Sequence, residues 1–233
     1  MTQIVWGAPG DKEIQTGLDH GVLYPGSGEG VPWVGLVGLT ENVSGGEQES
    51  FYYDGVKYLD VISYEDYQAT LEAFAAPEEF GVCDGTRQIA LGLFATQQPR
   101  VPFSFSYRTL VGNDLDESAG YKIHLVYNCM AAPAERTWTT KSNETQAPTM
   151  TWTLYSKPPK AALYAGLTYK PTAHLILDSR SFGTDPTGRF EVLRNVLYGM
   201  PVGATPVAPF PDGLPHLPTQ QQIVQYINTG FWS

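Results

Sequence analysis

Residues 101–133, VPFSFSYRTLVGNDLDESAGYKIHLVYNCMAAP, decide the fold because they contain two alternating stretches joined by a polar loop. Successive side chains of a β-strand point to opposite faces, so this alternation predicts strands with one buried side. The first stretch alternates aromatic with hydroxylic or basic side chains: Phe103, Ser104, Phe105, Ser106, Tyr107 and Arg108. The loop, residues 112–120, is rich in residues that favour turns. The segment therefore predicts a β-hairpin.

The second strand of this hairpin, residues 120–127, repeats the pattern. We expect the apolar sides of both strands to lie together inside a sandwich, and these are Phe103, Phe105, Tyr107, Ile123, Leu125 and Tyr127. We expect the polar side chains to share the opposite face, and these are Ser104, Ser106, Arg108, Lys122 and His124. Carboxylates of the 114–117 loop are the expected partners of Arg108 and Lys122.

Composition places the chain among mainly β proteins. Of 233 residues, 24 are Gly and 18 are Pro, about 18% together against roughly 12% in average proteins, which indicates many turns between short strands. Apolar residues make up 42% of the chain and aromatic residues 12%, enough for a large core and typical of sheets.

The net charge of −10, from 14 basic and 24 acidic residues, argues against a surface that grips nucleic acid. An acidic wall could instead repel DNA that passes through it, or the charge could serve solubility alone. No apolar run approaches the roughly 18 residues that span a bilayer, and the first residues lack a signal-peptide pattern. We therefore expect a cytosolic chain without a membrane partner.

Glycine and proline divide the chain into three predicted parts. Residues 1–33 are predicted to be an extended arm with one short strand at Val22–Tyr24. Residues 34–200 are predicted to form the β-sandwich. Residues 201–233 are predicted to be a proline-rich extension that ends in a short helix.

Asp54-Gly55 lies between two β-prone runs, residues 51–53 and 56–62, and predicts a second hairpin. Further strands are predicted over residues 34–40, 89–94, 149–154 and 174–178, with a projecting loop at 41–50.

A flanking helix is predicted directly after the second hairpin. Ser63 is its expected N-cap, Tyr67, Leu71 and Phe74 form an i, i+4, i+7 stripe, and Pro77 ends it. We expect this helix to cover a sheet.

Two short helices are predicted near the C-terminus. Asp185 before Pro186 begins one that ends at residue 198. Thr219 with Gln222 forms a capping box for the last helix, which Gly230 ends.

Catalytic and metal-binding motifs are absent from the sequence. There is no GxSxG, GxGxxG or HExxH pattern, and the two cysteines have no CxxC spacing, so we expect no enzyme, no cofactor and no metal site. Cys83 and Cys129 are expected to be buried and free. The histidines are scattered along the chain at His20, His124, His174 and His216.

Several stretches resemble the major tail subunit, or tail tube protein, of long non-contractile tailed bacteriophages, especially those of actinobacterial hosts. They are FSFSYRTLVGND (103–114), GYKIHLVYN (120–128) with the following Ala-Ala-Pro, GLDHGVLYPGSGEGVPWVGL (17–36), YYDGVKYLDVISYEDYQATLEAFAAPEEF (52–80), and HLILDSR (174–180) with the predicted helix after it. They occur in the family's order and cover most of the chain.

The resemblance implies a β-sandwich with a flanking helix, arranged as hexameric rings that stack into a tail tube, the conduit for phage DNA. It also implies tape measure and tail terminator proteins as partners, and a place in the virion tail after assembly in the bacterial host cytoplasm. Open sheet edges suit a ring, because neighbouring subunits can pair them into one continuous sheet.

Two sets of residues are expected at subunit contacts. Residues of the two ends should be buried against a neighbouring subunit: Val22, Leu23, Tyr24, Phe231 and Trp232. A chain without residues 1–24 should then fold but not polymerise. The polar face of the central hairpin should line either the lumen or a subunit contact.

Two other functions remain open at this point. A neck or tail-terminator ring protein of the same virion would share the acidic, β-rich composition. A carbohydrate-binding β-sandwich would expose aromatic side chains, for which the candidates are Trp33, Trp138 and Trp232.

Overall fold

The computed structural model describes residues 7–10, 12–26, 28–63, 65–132, 149–159, 163–164, 167–168, 172–183, 187–201, 203 and 209–232. The strands are β1 Glu13–Pro25, β2 Val31–Pro32, β3 Leu36–Gly45, β4 Gln48–Tyr53, β5 Val56–Ile62, β6 Glu65–Ala73, β7 Arg87–Ala90, β8 Leu93–Ala95, β9 Phe103–Asn113, β10 Gly120–Ala131, β11 Met150–Ser156, β12 Leu163–Tyr164, β13 Leu167–Thr168 and β14 His174–Asp178. The helices are α1 Phe80–Cys83, α2 Arg189–Tyr198 and α3 Gln220–Thr229, with a 3-10 turn at Ser179–Phe182. The mainly β, sandwich-like fold class is confirmed.

The central hairpin is formed by β9 and β10, as predicted, but its register differs from the expected one. Tyr107 lies opposite His124, and Leu125 lies opposite Ser106. Residues directly opposite each other share a face of the sheet. The predicted grouping by face was therefore wrong by one residue, and a shift of one residue moves every side chain of a strand to the other face.

Both faces of the hairpin are consequently buried, each in its own core. The first core contains, among others, Leu23, Trp33, Leu71, Phe80, Phe103, Phe105, Tyr107, Val126, Trp152 and Leu154. The second core contains Ile123, Leu125, Tyr127, Leu177, Leu193, Leu197, Ile223 and Tyr226. The six apolar hairpin residues are all buried, but they are divided between the two cores.

A β-bulge in β10 changes the partner of that strand. Pairing with β9 shifts register between Val126 and Cys129, and Asn128 within the bulge has a φ of 54°. Asparagine tolerates this left-handed conformation better than most residues. Before the bulge β10 pairs with β14, and after it with β11.

The N-terminal segment is a long strand of the main sheet. β1 pairs along β9 from Glu13 to Pro25, so the predicted strand at 22–24 is only its end. Val22, Leu23 and Tyr24 are 8%, 0% and 2% exposed. The prediction of an extended arm with one short strand is therefore wrong for residues 13–25, and a deletion of residues 1–24 would also remove core side chains.

The predicted helix after the second hairpin is also wrong, because that segment is β6. Ala69, Leu71 and Ala73 point into the first core, whereas Glu72 and Phe74 are exposed. The apolar residues therefore repeat every two positions, and the i, i+4, i+7 coincidence of Tyr67, Leu71 and Phe74 gave the wrong period. Pairing with β3 on one side and β11 on the other fixes the strand.

The main sheet follows the order β2-β1-β9-β10-β11-β6-β3, with β14 also paired to β10. The sheet curves around the first core. β9 and β3 are four positions apart in the strand order, yet the Tyr107 hydroxyl of β9 donates to Glu41 of β3. β3 extends from Leu36 to Gly45, so the predicted strand at 34–40 begins two residues later and continues through the first half of the predicted 41–50 loop.

The C-terminal helices close the second core. The capping box of Thr219 and Gln222 is present in α3, and Gly230 ends the helix with a φ of 78°, as predicted. α2 begins at Arg189, and the predicted start at Asp185-Pro186 lies outside the described residues. Across the described ranges, no helix combines the length and apolar character needed to cross a membrane.

The burial of β1 leads to a stability prediction. Leu23→Ala should lower the free energy of unfolding by about 2–5 kcal/mol, because it leaves a cavity under a fully buried side chain. Ile14→Ala, on the same strand and 59% exposed, should change it by less than about 0.5 kcal/mol. Urea denaturation measures both, and equal midpoints for parent and Leu23→Ala would show that β1 is outside the core.

Candidate assembly surfaces

The β4–β5 hairpin, residues 48–62, forms a separate two-stranded sheet. Asp54 and Gly55 have φ values of 49° and 75°, the left-handed pair that the predicted tight turn requires. Ser50 donates a 2.6 Å hydrogen bond to Asp60, and Lys57 forms an ion pair with the same carboxylate. Local interactions thus shape the hairpin.

Large apolar side chains of this hairpin are exposed, at fractions from 44% to 78%: Phe51, Tyr52, Tyr53, Val56, Tyr58, Leu59, Val61 and Ile62. An isolated hairpin is marginally stable in water, and a contiguous exposed apolar surface usually marks a binding site. The hairpin therefore has the properties of a surface that another molecule covers.

A second apolar projection is the β7–β8 hairpin, residues 87–95. Its exposed apolar side chains are Ile89, Leu91, Leu93 and Phe94, of which Leu91 is 100% exposed. Beside it lies an open cleft of about 520 Å³ whose walls include Phe80, Phe94, Met150 and Trp152. The cleft is large enough to receive apolar side chains of a partner.

Open sheet edges form a third kind of surface. β3 pairs with β6 along one side, and no strand of the described residues pairs with its other side. β14 likewise pairs with β10 alone in the described part of the chain. Unpaired backbone N–H and C=O groups along such edges are templates for pairing with another chain.

The residues predicted at subunit contacts from the two chain ends lie in different environments. Val22, Leu23 and Tyr24 are buried by the chain's own cores, and the Tyr24 hydroxyl donates a 2.7 Å hydrogen bond to the Leu197 carbonyl. Their burial thus needs no partner. Phe231 is 75% exposed and remains accessible, whereas Trp232 stacks on Tyr226 at 4.3 Å.

The residues predicted to form one polar face are divided between the two faces of the hairpin. Ser104, Ser106 and Arg108 lie on one face, and Lys122 and His124 on the other. Ser106 is fully buried beside the Tyr24 hydroxyl, at 3.3 Å. These residues therefore do not form the continuous surface that was expected.

Arg108 is paired with a carboxylate of the neighbouring strand. Its guanidinium donates two hydrogen bonds, of 2.7 and 2.6 Å, to Asp19, the residue opposite it on β1. The expected partner in the 114–117 loop was wrong. The Arg108 hydrogen bonds lower the pKa of Asp19. Lys122 lies opposite Asp178, whose carboxylate binds Arg180 at 2.7 Å.

His124 belongs to a polar group at one end of the first core. It stacks on Tyr107 at 4.5 Å, and its Nδ1 lies 3.0 Å from His174 Nε2. Burial lowers the pKa of His124 to about 4 and also lowers that of His174, so both rings are neutral at pH 7. Two of the four scattered histidines thus come together, which the sequence distances did not indicate.

The two cysteines are buried and free, as predicted. Burial raises the pKa of Cys83 to about 11 and that of Cys129 to about 12, so neither thiol is a reactive nucleophile at neutral pH.

Comparisons with known proteins add only distant similarities of fold. No family model matches the chain, and no curated protein matches it. A solved structure of the anti-feeding prophage cap, described as a tube terminating cap, is similar with a TM-score of 0.35 and 10% identity, over 76% of this chain and 96% of that one. A sheath-tube complex of an extracellular contractile injection system, PVC, is similar with a TM-score of 0.32 and 13% identity, over 68% and 88% of the two chains. At these scores, function must be argued from the surfaces described above.

The Arg108–Asp19 pair predicts a pH-dependent stability. Arg108→Met should lower the free energy of unfolding by about 1–2 kcal/mol at pH 7, between the values for exposed and buried pairs, because the two side chains are 22% and 38% exposed. The pKa of Asp19 is lowered in the folded state, so the pair stabilises above the unfolded pKa of about 3.9 and loses this effect as the pH falls through the folded value.

Denaturant titrations of parent and Arg108→Met from pH 7 to pH 3 measure this difference, which should shrink below about pH 4. Lys57→Met removes an exposed pair of the β4–β5 hairpin and should cost less than about 1 kcal/mol. A constant difference between parent and Arg108→Met over the whole range would contradict the assignment.

Proposed function

We propose that the chain is a structural subunit that assembles with copies of itself into stacked rings, which form a tail tube through which phage DNA passes. The observation that carries this proposal is the exposed apolar surface of the β4–β5 hairpin. A chain that keeps eight large apolar side chains in water on one projecting element needs a protein surface to cover them.

The apolar area of the β4–β5 hairpin is enough for a weak contact between subunits, which further contacts would have to strengthen. Fully burying a large apolar side chain is worth about 1.5–3 kcal/mol, so covering half of the eight gives roughly 6–12 kcal/mol. Association costs an estimated 4–15 kcal/mol in lost freedom of movement, so the hairpin alone would give weak binding. Pairing of the open β3 or β14 edge would supply the additional interaction.

A contact in which the β4–β5 hairpin of one copy enters the cleft of the next copy would give rings or filaments instead of a simple dimer. The projecting hairpin and the 520 Å³ cleft beside α1 are different surfaces of one chain. Contacts between unlike surfaces are heterologous, and they close into rings or continue as helical filaments. Both hexameric rings and their stacking are compatible with such contacts, and tape measure and tail terminator proteins would then bind the completed tube.

Charge supports passive passage of DNA over DNA binding. The chain carries 24 acidic and 14 basic residues, and Arg108 and Arg180 are each bound to aspartates of the same chain. The excess of ten acidic residues over basic ones opposes contact with phosphates. A virion location after assembly in a host cytoplasm follows from this function, and a catalytic activity is not part of it.

Two other functions remain as alternatives. The tryptophans named for a carbohydrate-binding site do not support it, because Trp33 is 4% exposed and Trp232 packs on Tyr226, and Trp138 lies outside the described residues. The exposed aromatic rings of the β4–β5 hairpin would suit either a sugar or a protein partner. A tail-terminator ring has the same kinds of surface, but it would form single rings that do not stack, and it would be scarce in the particle. Electron microscopy of the purified protein separates these cases.

The proposal predicts that Tyr58→Ser combined with Ile62→Ser abolishes tubes without unfolding the protein. These side chains of β5 are 78% and 68% exposed, so removing them changes the surface and leaves both cores intact. Negative-stain microscopy and sedimentation would report assembly, and circular dichroism would report folding.

Leu115→Ser is the matched control, because Leu115 is 71% exposed but lies in the polar loop between β9 and β10. It should assemble like the parent. Tubes of normal length from the Tyr58→Ser, Ile62→Ser protein would exclude the β4–β5 hairpin as the assembly surface. A parent protein that stays monomeric at high concentration would contradict the proposed function itself.

A second prediction concerns DNA. Fluorescence anisotropy with a labelled duplex at physiological salt should detect no binding, because the net charge of −10 repels phosphates. The same titration at low salt gives the sensitivity limit. Salt-dependent binding in the micromolar range would favour a DNA-handling neck protein over a passive conduit.

A further inference from the structure

Glu41, His124 and His174 form a His–His–Glu cluster at one end of the first core. Each residue offers one ligand atom, and the three atoms all lie within 4.8 Å of one another. The sheet brings them together from three strands. His174 of β14 lies opposite Val126, so it is the diagonal neighbour of His124 on the same face, and Glu41 approaches from β3.

The distances within the cluster suit a small metal ion. His124 Nδ1 and His174 Nε2 are 3.0 Å apart, and His174 Nε2 lies 3.8 Å from Glu41 Oε1. Tetrahedral zinc with bonds of 2.0–2.1 Å holds its ligand atoms about 3.3 Å apart. These two distances lie on either side of that value, and the third pair, His124 and Glu41, lies within 4.8 Å, so a movement of the Glu41 carboxylate by up to about 1.5 Å would complete the geometry.

Neighbouring side chains hold two of the three ligands in position. His124 Nε2 lies 3.0 Å from the Thr109 hydroxyl, so an N–H at that atom leaves the Nδ1 lone pair directed at the cluster. The hydroxyls of Tyr67 and Tyr107 both donate to Glu41 Oε1. Such outer partners are the usual support of ligating histidines and carboxylates in metal sites.

A path from solvent leads to the cluster. A cleft of about 220 Å³ is lined by His174 and Tyr67, and two carboxylate residues, Glu65 and Asp66, form part of its wall. Acidic walls raise the local concentration of cations. The Glu41 side chain is 39% exposed, so one side of the cluster also faces water, which can occupy a fourth ligand position.

We propose that Glu41, His124 and His174 bind one divalent transition-metal ion of the zinc class per chain. Two imidazoles and one carboxylate suit zinc, whereas calcium and magnesium require oxygen ligands. The ion would join β3, β10 and β14 at the end of the first core, and it would stabilise the folded chain because the unfolded chain has no such site. This proposal is independent of tube assembly.

Hydrogen bonds alone provide a second explanation of the same geometry. One imidazole N–H can donate to the other imidazole, and the tyrosine hydroxyls satisfy Glu41, without any ion. The two explanations differ in an observable way. A hydrogen-bonded network holds a proton where the metal would lie. Such a network would not bind one equivalent of cobalt or zinc.

The test is a titration of the chelator-treated, full-length protein with CoCl₂, followed through the visible absorption of the ion, and with ZnCl₂ by calorimetry. We expect one ion per chain, a micromolar or lower Kd, displacement of cobalt by zinc, and a melting temperature that rises with zinc concentration. Magnesium and calcium chlorides should not compete. No binding to the parent protein, or binding equally displaced by calcium, would overturn the proposal.

Variants assign the site. His174→Asn should weaken cobalt binding by about 100-fold or more, and Tyr107→Phe, which removes an outer partner, by roughly 10-fold. His216→Asn is the matched control, because His216 lies 2.9 Å from an aspartate, Asp212, outside the cluster. It should bind cobalt like the parent. Loss of binding in His216→Asn, or unchanged binding in a folded His174→Asn protein, would place the ion elsewhere and exclude the His–His–Glu cluster.

Discussion

Pairing between β9 and β10 sets Tyr107 opposite His124 and Ser106 opposite Leu125, and the rest of the chain depends on this register. Because both faces of the hairpin carry large apolar side chains, both must be covered. On one side the main sheet folds over the first core. On the other side α2 and α3 cover the second, and the Tyr127 hydroxyl donates to the Pro218 carbonyl at 3.0 Å. α2 and α3 are therefore a layer of the domain.

Local signals in the sequence predicted local structure well. The Asp54-Gly55 turn, the central hairpin and the capping box of α3 each depend on a few neighbouring residues, and all three are present. The register of β9 and β10 was missed because alternation within a strand does not say which residues of two strands lie opposite. β6 was mistaken for a helix because three apolar residues coincided with a helical spacing, although pairing on both sides determines its conformation.

The candidate sites were only partly predictable, for a related reason. Alternation predicts one buried side of a hairpin, yet both sides of β4–β5 are exposed, since exposure depends on whether another element packs on it. His124 and His174 are separated by 50 positions and meet because β10 pairs with β14 before the Asn128 bulge. Without the pairing, no spacing in the sequence distinguishes these two histidines from the other two.

In the proposed assembly, the exposed β4–β5 hairpin and the charge of −10 would act at different distances. Electrostatic repulsion between two acidic chains extends over about one Debye length, roughly 8 Å at physiological salt and 30 Å in dilute buffer, whereas apolar contact acts only when water is expelled. The salt concentration should therefore govern the rate at which two subunits associate. The buried apolar area should govern the rate at which they dissociate. In the proposed tube, growth on an existing ring, which would present several surfaces at once, would then be faster than the meeting of two free chains, so free subunits would accumulate until a nucleus forms.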